Sequence, residues 1–191
     1  DFIVKYMYAG NSTWHERVNR DGTVREKAGE NLYGWMFIAA GLAEFFKATG
    51  NDEDFKLVLE TIWSTLRVYD NPQYKGAANN GGYPQDMDFS GFRSQGHSMV
   101  LVWMLTQILN IRKNIKLEDL VAEHSGYIMS AFTHPYLLIT NEYLLHDYSR
   151  VPGFEDYMYT GHSLETQWIV MFEAIRQADR ELFDTCTTLI R

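Results

Sequence analysis

The sequence predicts an all-α chain: three consecutive αα-hairpins set in a toroidal array, with short β-hairpins confined to the connecting loops. Two observations carry this. Three pairs of segments repeat apolar residues at the 3.6-residue spacing of a helix, and in each pair the leading segment is the more apolar. The leading segments begin near Asn31, His97 and His162, about 65 residues apart, a period that suits one helical hairpin and one long loop per repeat. In such an array the leading helices line the inside, their N-termini share one mouth, and the long loops enter that mouth.

The elements follow in order. Residues 2–25 alternate loosely and pass through Arg20-Asp21-Gly22, a strong turn signal, which predicts short strands or a hairpin loop. Over 30–49, Leu32, Trp35, Met36, Ile38, Ala39, Leu42, Ala43, Phe45 and Phe46 recur at helical spacing until Gly50-Asn51 closes the helix. A second helix over 52–69 carries Phe55, Leu57, Val58, Leu59, Ile62, Trp63 and Leu66 on its apolar side and stops at Asp70-Asn71-Pro72. Residues 73–94, rich in Gly, Asn, Asp and Pro, read as a long loop of the kind that often carries function. Gln95-Gly96-His97-Ser98 opens a third helix to about 112, and a fourth spans about 117–132. Residues 134–154 show strand-like alternation (136–139 and 143–148) broken by Asn141-Glu142 and ended by Val151-Pro152-Gly153. A fifth helix over 162–178 and a sixth from Glu181 complete the third hairpin, so residues 1–191 read as a single partial toroid domain.

Composition bounds the function. An aromatic content of 15% suits a carbohydrate cleft or a bulky helical array. A net charge of -8 without basic runs argues against nucleic acid and anionic membrane as partners and favours a neutral small molecule. Cys186 is the single cysteine, so no internal disulfide can form and a reducing compartment, the cytoplasm, is expected. No apolar run is long enough to span a bilayer, and neither anchor nor signal is read at the N-terminus. The chain opens at Asp1 and stops at Arg191 inside a helical segment, which suggests a piece of a longer protein.

The chemistry is expected at the mouth. A helix start leaves backbone N–H groups unpaired and carries partial positive charge, which biases an imidazole there towards its neutral, proton-accepting form. His162 is the candidate base; Glu165, one turn on, is placed to fix its tautomer or share its proton, and Trp168 continues that face. His97 also follows a glycine at an inner-helix start and would face the same cleft. Trp35, Trp103 and Trp168, one on each inner helix, are the candidate sugar-binding rings, since pyranose C–H faces pack on aromatic walls. The competing reading is a capped helix with Glu165 at its third position and Trp168 in the core. His15, His124, His134 and His146 lack metal-ligand spacing and read as surface or turn residues; no metal or cofactor is called for.

These motifs carry a resemblance. Gly161-His162-Ser163-Leu164-Glu165 with Trp168, preceded by Pro152-Gly153, resembles the Gly-His-x-x-Glu-x-x-Trp motif of the N-acylglucosamine 2-epimerase (renin-binding protein) family. Leu32-Tyr33-Gly34-Trp35-Met36-Phe37, with Gly41-Leu42-Ala43-Glu44-Phe45 and Ala48-Thr49-Gly50-Asn51, is similar to its central inner helix, and Gln95-Gly96-His97-Ser98-Met99 to the next. The resemblance implies an (α/α)6 barrel, about twelve helices in roughly 400 residues, of which this chain would supply half. It implies an isomerase that moves the C2 proton of an open-chain aldose, returning it to C2 as an epimerase or delivering it to C1 as an aldose-ketose isomerase. His162 matches the family's acid/base histidine, Glu165 and Trp168 its companions, and His97 a histidine found in part of the family. A second essential histidine near the family's C-terminus and a sugar-binding arginine near its N-terminus have no counterpart here, so this chain alone is expected to be inactive. A homodimer is compatible with the resemblance.

Two other functions compete. A glycoside hydrolase on the same barrel, of the unsaturated glucuronyl hydrolase type, would use Asp86 or Asp88 as acid. A non-catalytic helical scaffold that binds carbohydrate or protein would keep the aromatic stripes without needing His162 and Glu165 at one mouth.

Overall fold

The computed structural model describes residues 2–75 and 90–191, which fall into two compact units, Asp1–Ser90 and Gly91–Arg191. Asp86 and Asp88 lie outside the described residues.

In the first unit, β1 (Tyr8–Gly10), β2 (Thr13–Val18) and β3 (Val24–Ala28) form an antiparallel sheet in that order, with His15 opposite Ala28 and Arg17 opposite Glu26. The predicted turn joins β2 to β3: Asn19 N–H donates to Thr23 O at 2.8 Å, and Gly22 takes a φ of 88°, a value open to glycine. Helix α1 (Leu32–Thr49) starts where Asn31 Oδ1 accepts from Gly34 N–H at 2.8 Å, and it ends at left-handed Gly50, whose N–H reaches Phe46 O. Helix α2 (Asp52–Tyr69) is capped by Asn51 and carries Asp52, Glu53 and Asp54 in its first turn, where the helix dipole favours negative charge. The two pack as a hairpin over Leu32, Trp35, Met36, Ala39, Val58 and Ile62, and buried Trp14 ties β2 to α2 through Nε1–H donating to Thr61 Oγ1.

In the second unit, the two-residue strand β4 (Arg93–Ser94) pairs antiparallel with β5 (Tyr143–Leu144) and leads directly into α3 (Gln95–Ile111). Helix α3 is buried along almost its whole length, as its nearly unbroken apolar sequence requires, with α4 and α5 packed on it. Helix α4 (Ile115–Tyr127) begins two residues before the expected start because Asn114 Oδ1 accepts from the N–H groups of Lys116 and Leu117. It widens into a final i to i+5 turn over Ile128–Phe132. Helices α5 (Thr160–Gln177) and α6 (Arg180–Ile190) form the last hairpin, joined through Ala178, a non-glycine residue at φ 57°, and Asp179, which caps α6.

Helices α3 and α5 run parallel in register. Gln95 Nε2 lies 3.5 Å from His162 O near their N-termini, and Thr106 Oγ1 lies 2.7 Å from Glu173 Oε2 further along; both pairs are 67 residues apart in sequence. The expected shared mouth is therefore present for these two helices.

Two expectations need correction. Residues 136–139 do not form a strand: only Thr133 and Thr140 bridge, and between them the chain turns, with Leu138 at φ 55° and Tyr136 largely exposed. His124 is no surface residue; it is buried, with Nδ1 3.1 Å from Ser98 Oγ on α3. His146, read as a surface or turn residue, does lie in a turn, half-buried, with Nδ1 3.0 Å from Gly91 O. Among the described residues no helix is long and apolar enough to cross a membrane.

Candidate active site

His162 occupies the first turn of α5 with its side chain 35% exposed, and its Nδ1 lies 3.0 and 3.1 Å from the two carboxylate oxygens of Glu142, whose side chain is 1% exposed. The carboxylate bonded to the imidazole is thus Glu142, twenty residues upstream, and Glu165 contributes to His162 only through its charge. The hydrogen bond that Nδ1–H donates to Glu142 holds the imidazole above its ordinary pKa of 6.5, against the opposing effect of partial burial, with the charges of Glu142 and Glu165 as smaller additions. In the neutral ring, Nδ1–H donates to the carboxylate, and Nε2 is left as the proton acceptor.

Glu142 is held from both sides. Its N–H donates to Tyr157 O at 3.0 Å, and its carbonyl accepts from Gln95 N–H, the first residue of α3, at 2.9 Å. The neighbouring residues are tied as firmly: Asn141 Nδ2 donates to Glu155 O at 2.6 Å, its Oδ1 accepts from Arg150, and Thr140 N–H donates to Ser163 Oγ on α5 at 3.1 Å. Gln167, one turn beyond Ser163, donates to Thr140 Oγ1. Thr140, Asn141 and Glu142 are all buried, so the loop places a carboxylate beneath the imidazole with little freedom to move.

The other sequence candidates lie elsewhere. His97 is 0% exposed in the core of the second unit, where burial first, and then His124 and Arg93, push its pKa down to about 3. Trp103 and Trp168 share a groove of about 490 Å³ with Thr106, Phe172 and Ile175, two turns along α5 from His162. Trp35 is 4% exposed and belongs to the core of the first unit. The ring that does stand against the imidazole is Tyr159, just before α5, at a centroid distance of 5.5 Å and an interplanar angle of 75°.

No family model matches the sequence, and no curated protein matches it. Solved structures match closely in backbone. A sugar epimerase from a ruminal bacterium superposes with a TM-score of 0.77 at 13% identity, over 98% of this chain and 50% of that one. The cellobiose 2-epimerase of Bacillus thermoamylovorans gives 0.73 at 10% identity, over 99% of this chain and 50% of its own. A D-mannose isomerase gives 0.69 at 12% identity, over 98% and 46%.

The fold is that of an (α/α)6 barrel.

The chain supplies three αα-hairpins of that barrel and spans about half the length of the solved structures it matches. The pair Glu142–His162 lies where the parallel helices α3 and α5 begin together. Of this site, the sequence reading located His162 and missed Glu142 and Tyr159. A signal for Glu142 existed: it is the single charged residue in the mostly apolar run 135–145, and a carboxylate buried in such a run requires a partner.

Proposed function

We propose that this chain carries the acid/base centre of a sugar 2-epimerase or aldose-ketose isomerase of the N-acylglucosamine 2-epimerase type. The observation that carries the reading is the pairing of a half-exposed imidazole at the start of α5 with a buried carboxylate on its Nδ1. Backbone likeness to two sugar epimerases and a mannose isomerase supports it. In this reading Nε2 of His162 removes the proton from C2 of an open-chain aldose. The C2–H electron pair forms the C1–C2 double bond as the carbonyl oxygen takes up charge, and Glu142 offsets the charge of the imidazolium that results. A proton given to the opposite face of C2 by a second acid, in this reading the family's other histidine, gives the epimer; delivery to C1, with the O2 proton passing to O1, gives the ketose. Glu165 adds negative charge near the ring, and His97, sealed beneath the first turn of α3, keeps that turn packed. The partner is a neutral sugar, in the cytoplasm, with no nucleic acid or membrane; residues 1–191 supply one partial domain of the barrel, and a homodimer is compatible with this reading.

The test is solvent exchange. Incubating aldoses in deuterated water with the chain as part of a complete barrel is expected to place deuterium at C2 of the aldose or C1 of the ketose. His162→Ala is expected to cut that exchange by about 100- to 10,000-fold, the loss typical of a positioned acid/base. A folded His162→Ala protein that exchanges at the wild-type rate would remove His162 from the chemistry.

A further inference from the structure

We infer that Tyr159, rather than any of the tryptophans, is the ring against which the sugar lies while His162 works on it, with Tyr157 and Tyr143 behind it as support; this rests on the sugar-isomerase reading above. Tyr159 is half-buried, and its ring stands nearly perpendicular to the imidazole, 5.5 Å between centroids. A C–H bond offered to Nε2 belongs to a carbon chain whose neighbouring C–H groups need an apolar wall at that distance, and an aromatic face supplies one while leaving the hydroxyls to polar groups.

The wall is built to stay in place. Tyr159 O accepts from Ser163 N–H at 2.9 Å, which fixes the residue to the first turn of α5, the turn that holds His162. Tyr157 packs edge-on against Tyr159 at 5.6 Å, and it stacks on Tyr143 at 6.3 Å and 11°. Tyr157 O also accepts the N–H of Glu142, so the carboxylate that aligns the imidazole and the rings that back Tyr159 share one framework. Trp168 on α5 and Trp103 on α3 line the groove further along these two helices.

Steady-state kinetics and binding separate this inference from the reading beneath it. Tyr159→Ala is expected to raise KM for the aldose about tenfold with kcat changed less than about threefold, because a wall that binds ground and transition states alike acts uniformly. Tyr159→Phe is expected to keep KM near wild type, and Trp168→Ala likewise. A KM for Tyr159→Ala within twofold of wild type overturns the inference while leaving the His162 chemistry standing. A loss for Tyr159→Phe as large as for Tyr159→Ala also overturns it, since the hydroxyl and not the ring would then be what matters. Should Tyr159→Ala fail to fold, Tyr159→Leu replaces it, with the same expected rise in KM. Saturation-transfer NMR with D-sorbitol, which has no carbonyl to react, gives an arm independent of turnover: transfer lost in Tyr159→Leu and kept in Tyr159→Phe supports the wall. No transfer to wild type, or equal transfer in both variants, overturns it whether or not exchange is seen.

Discussion

Thr106 on α3 donates its hydroxyl to Oε2 of Glu173 on α5 at 2.7 Å, and both residues are buried. Glu173 also accepts from Arg176 at 2.7 and 2.8 Å, and Arg176 reaches Glu118 on α4, so three helices meet on one buried carboxylate. Thr106→Val keeps the shape and removes one donor, and is expected to destabilise the fold by about 1–3 kcal/mol. Thr106→Ser should stay near wild type. Urea unfolding measures both, and an unchanged midpoint for Thr106→Val would show that the bond contributes nothing net.

The second prediction concerns the pH response of His162. Glu142 raises its pKa in the folded state, so the stability gained from the pair is fully present below the unfolded value of about 6.5 and fades as pH rises through the folded value. Glu142→Gln keeps the size of the side chain but removes its charge, and is expected to lower the His162 pKa and shift the acid limb of the rate profile to lower pH. Imidazole NMR titration reads the shift directly; a His162 pKa that stays put in Glu142→Gln would mean that the carboxylate is not its partner in solution.

Acid should unfold the protein through two other histidines. His97 and His124 are both pushed down to about 3, in each case chiefly by burial, so both remain neutral in the folded state and take up protons on unfolding. Stability is therefore full above about 6.5, the unfolded value, and is lost as pH falls towards about 3. Between these limits the slope should reach about 2.7 kcal/mol per pH unit when both protons are taken up. Denaturant midpoints measured from pH 7 to 5 should fall steadily, and a flat profile would contradict this burial.

A fourth prediction follows from the exposed stripe on α5. Leu164, Trp168, Phe172 and Ile175 are 47, 42, 58 and 62% exposed and recur at helical spacing, an apolar face with no described neighbour covering it. Self-association that increases with concentration is expected in sedimentation velocity, and Phe172→Lys should weaken it. A chain that remains monomeric at millimolar concentration would show the stripe to be inert.

The helices were legible in the sequence because their end signals are local. Asn31, Asn51 and Asp179 cap where short polar residues precede apolar runs, and Gly50 ends α1 in the left-handed conformation that glycine favours. The segment around Leu138 was not legible, since aromatic and aliphatic residues in alternation signal a strand regardless of whether a partner strand exists. His162 stood out through its helix-start motif, and Glu165 through its spacing of one turn. Glu142 could be placed under His162 only by tertiary structure: its position depends on β4–β5 pairing and on Gln95 and Tyr157 gripping its backbone, none of which has a period to read. Tyr159 sits one residue before α5, outside the helical face that the periodicity argument followed.

The parallel register of α3 and α5 bears on how far the mouth can change shape. The bonds that align them close a span of 67 residues, and the entropy of closing a chain loop grows only with the logarithm of its length. Adding four residues at the exposed tip around Tyr136, inside the loop closed by the Thr133–Thr140 bridge, would cost about 0.4 kcal/mol in closure entropy. The grip on Glu142 lies beyond that tip, in bonds to Gln95, Tyr157 and Ser163 through its neighbour Thr140. The rim can therefore lengthen or shorten at little thermodynamic penalty while the distance between carboxylate and imidazole stays as it is, so that the shape of the opening and the position of the proton-handling pair are free to vary separately.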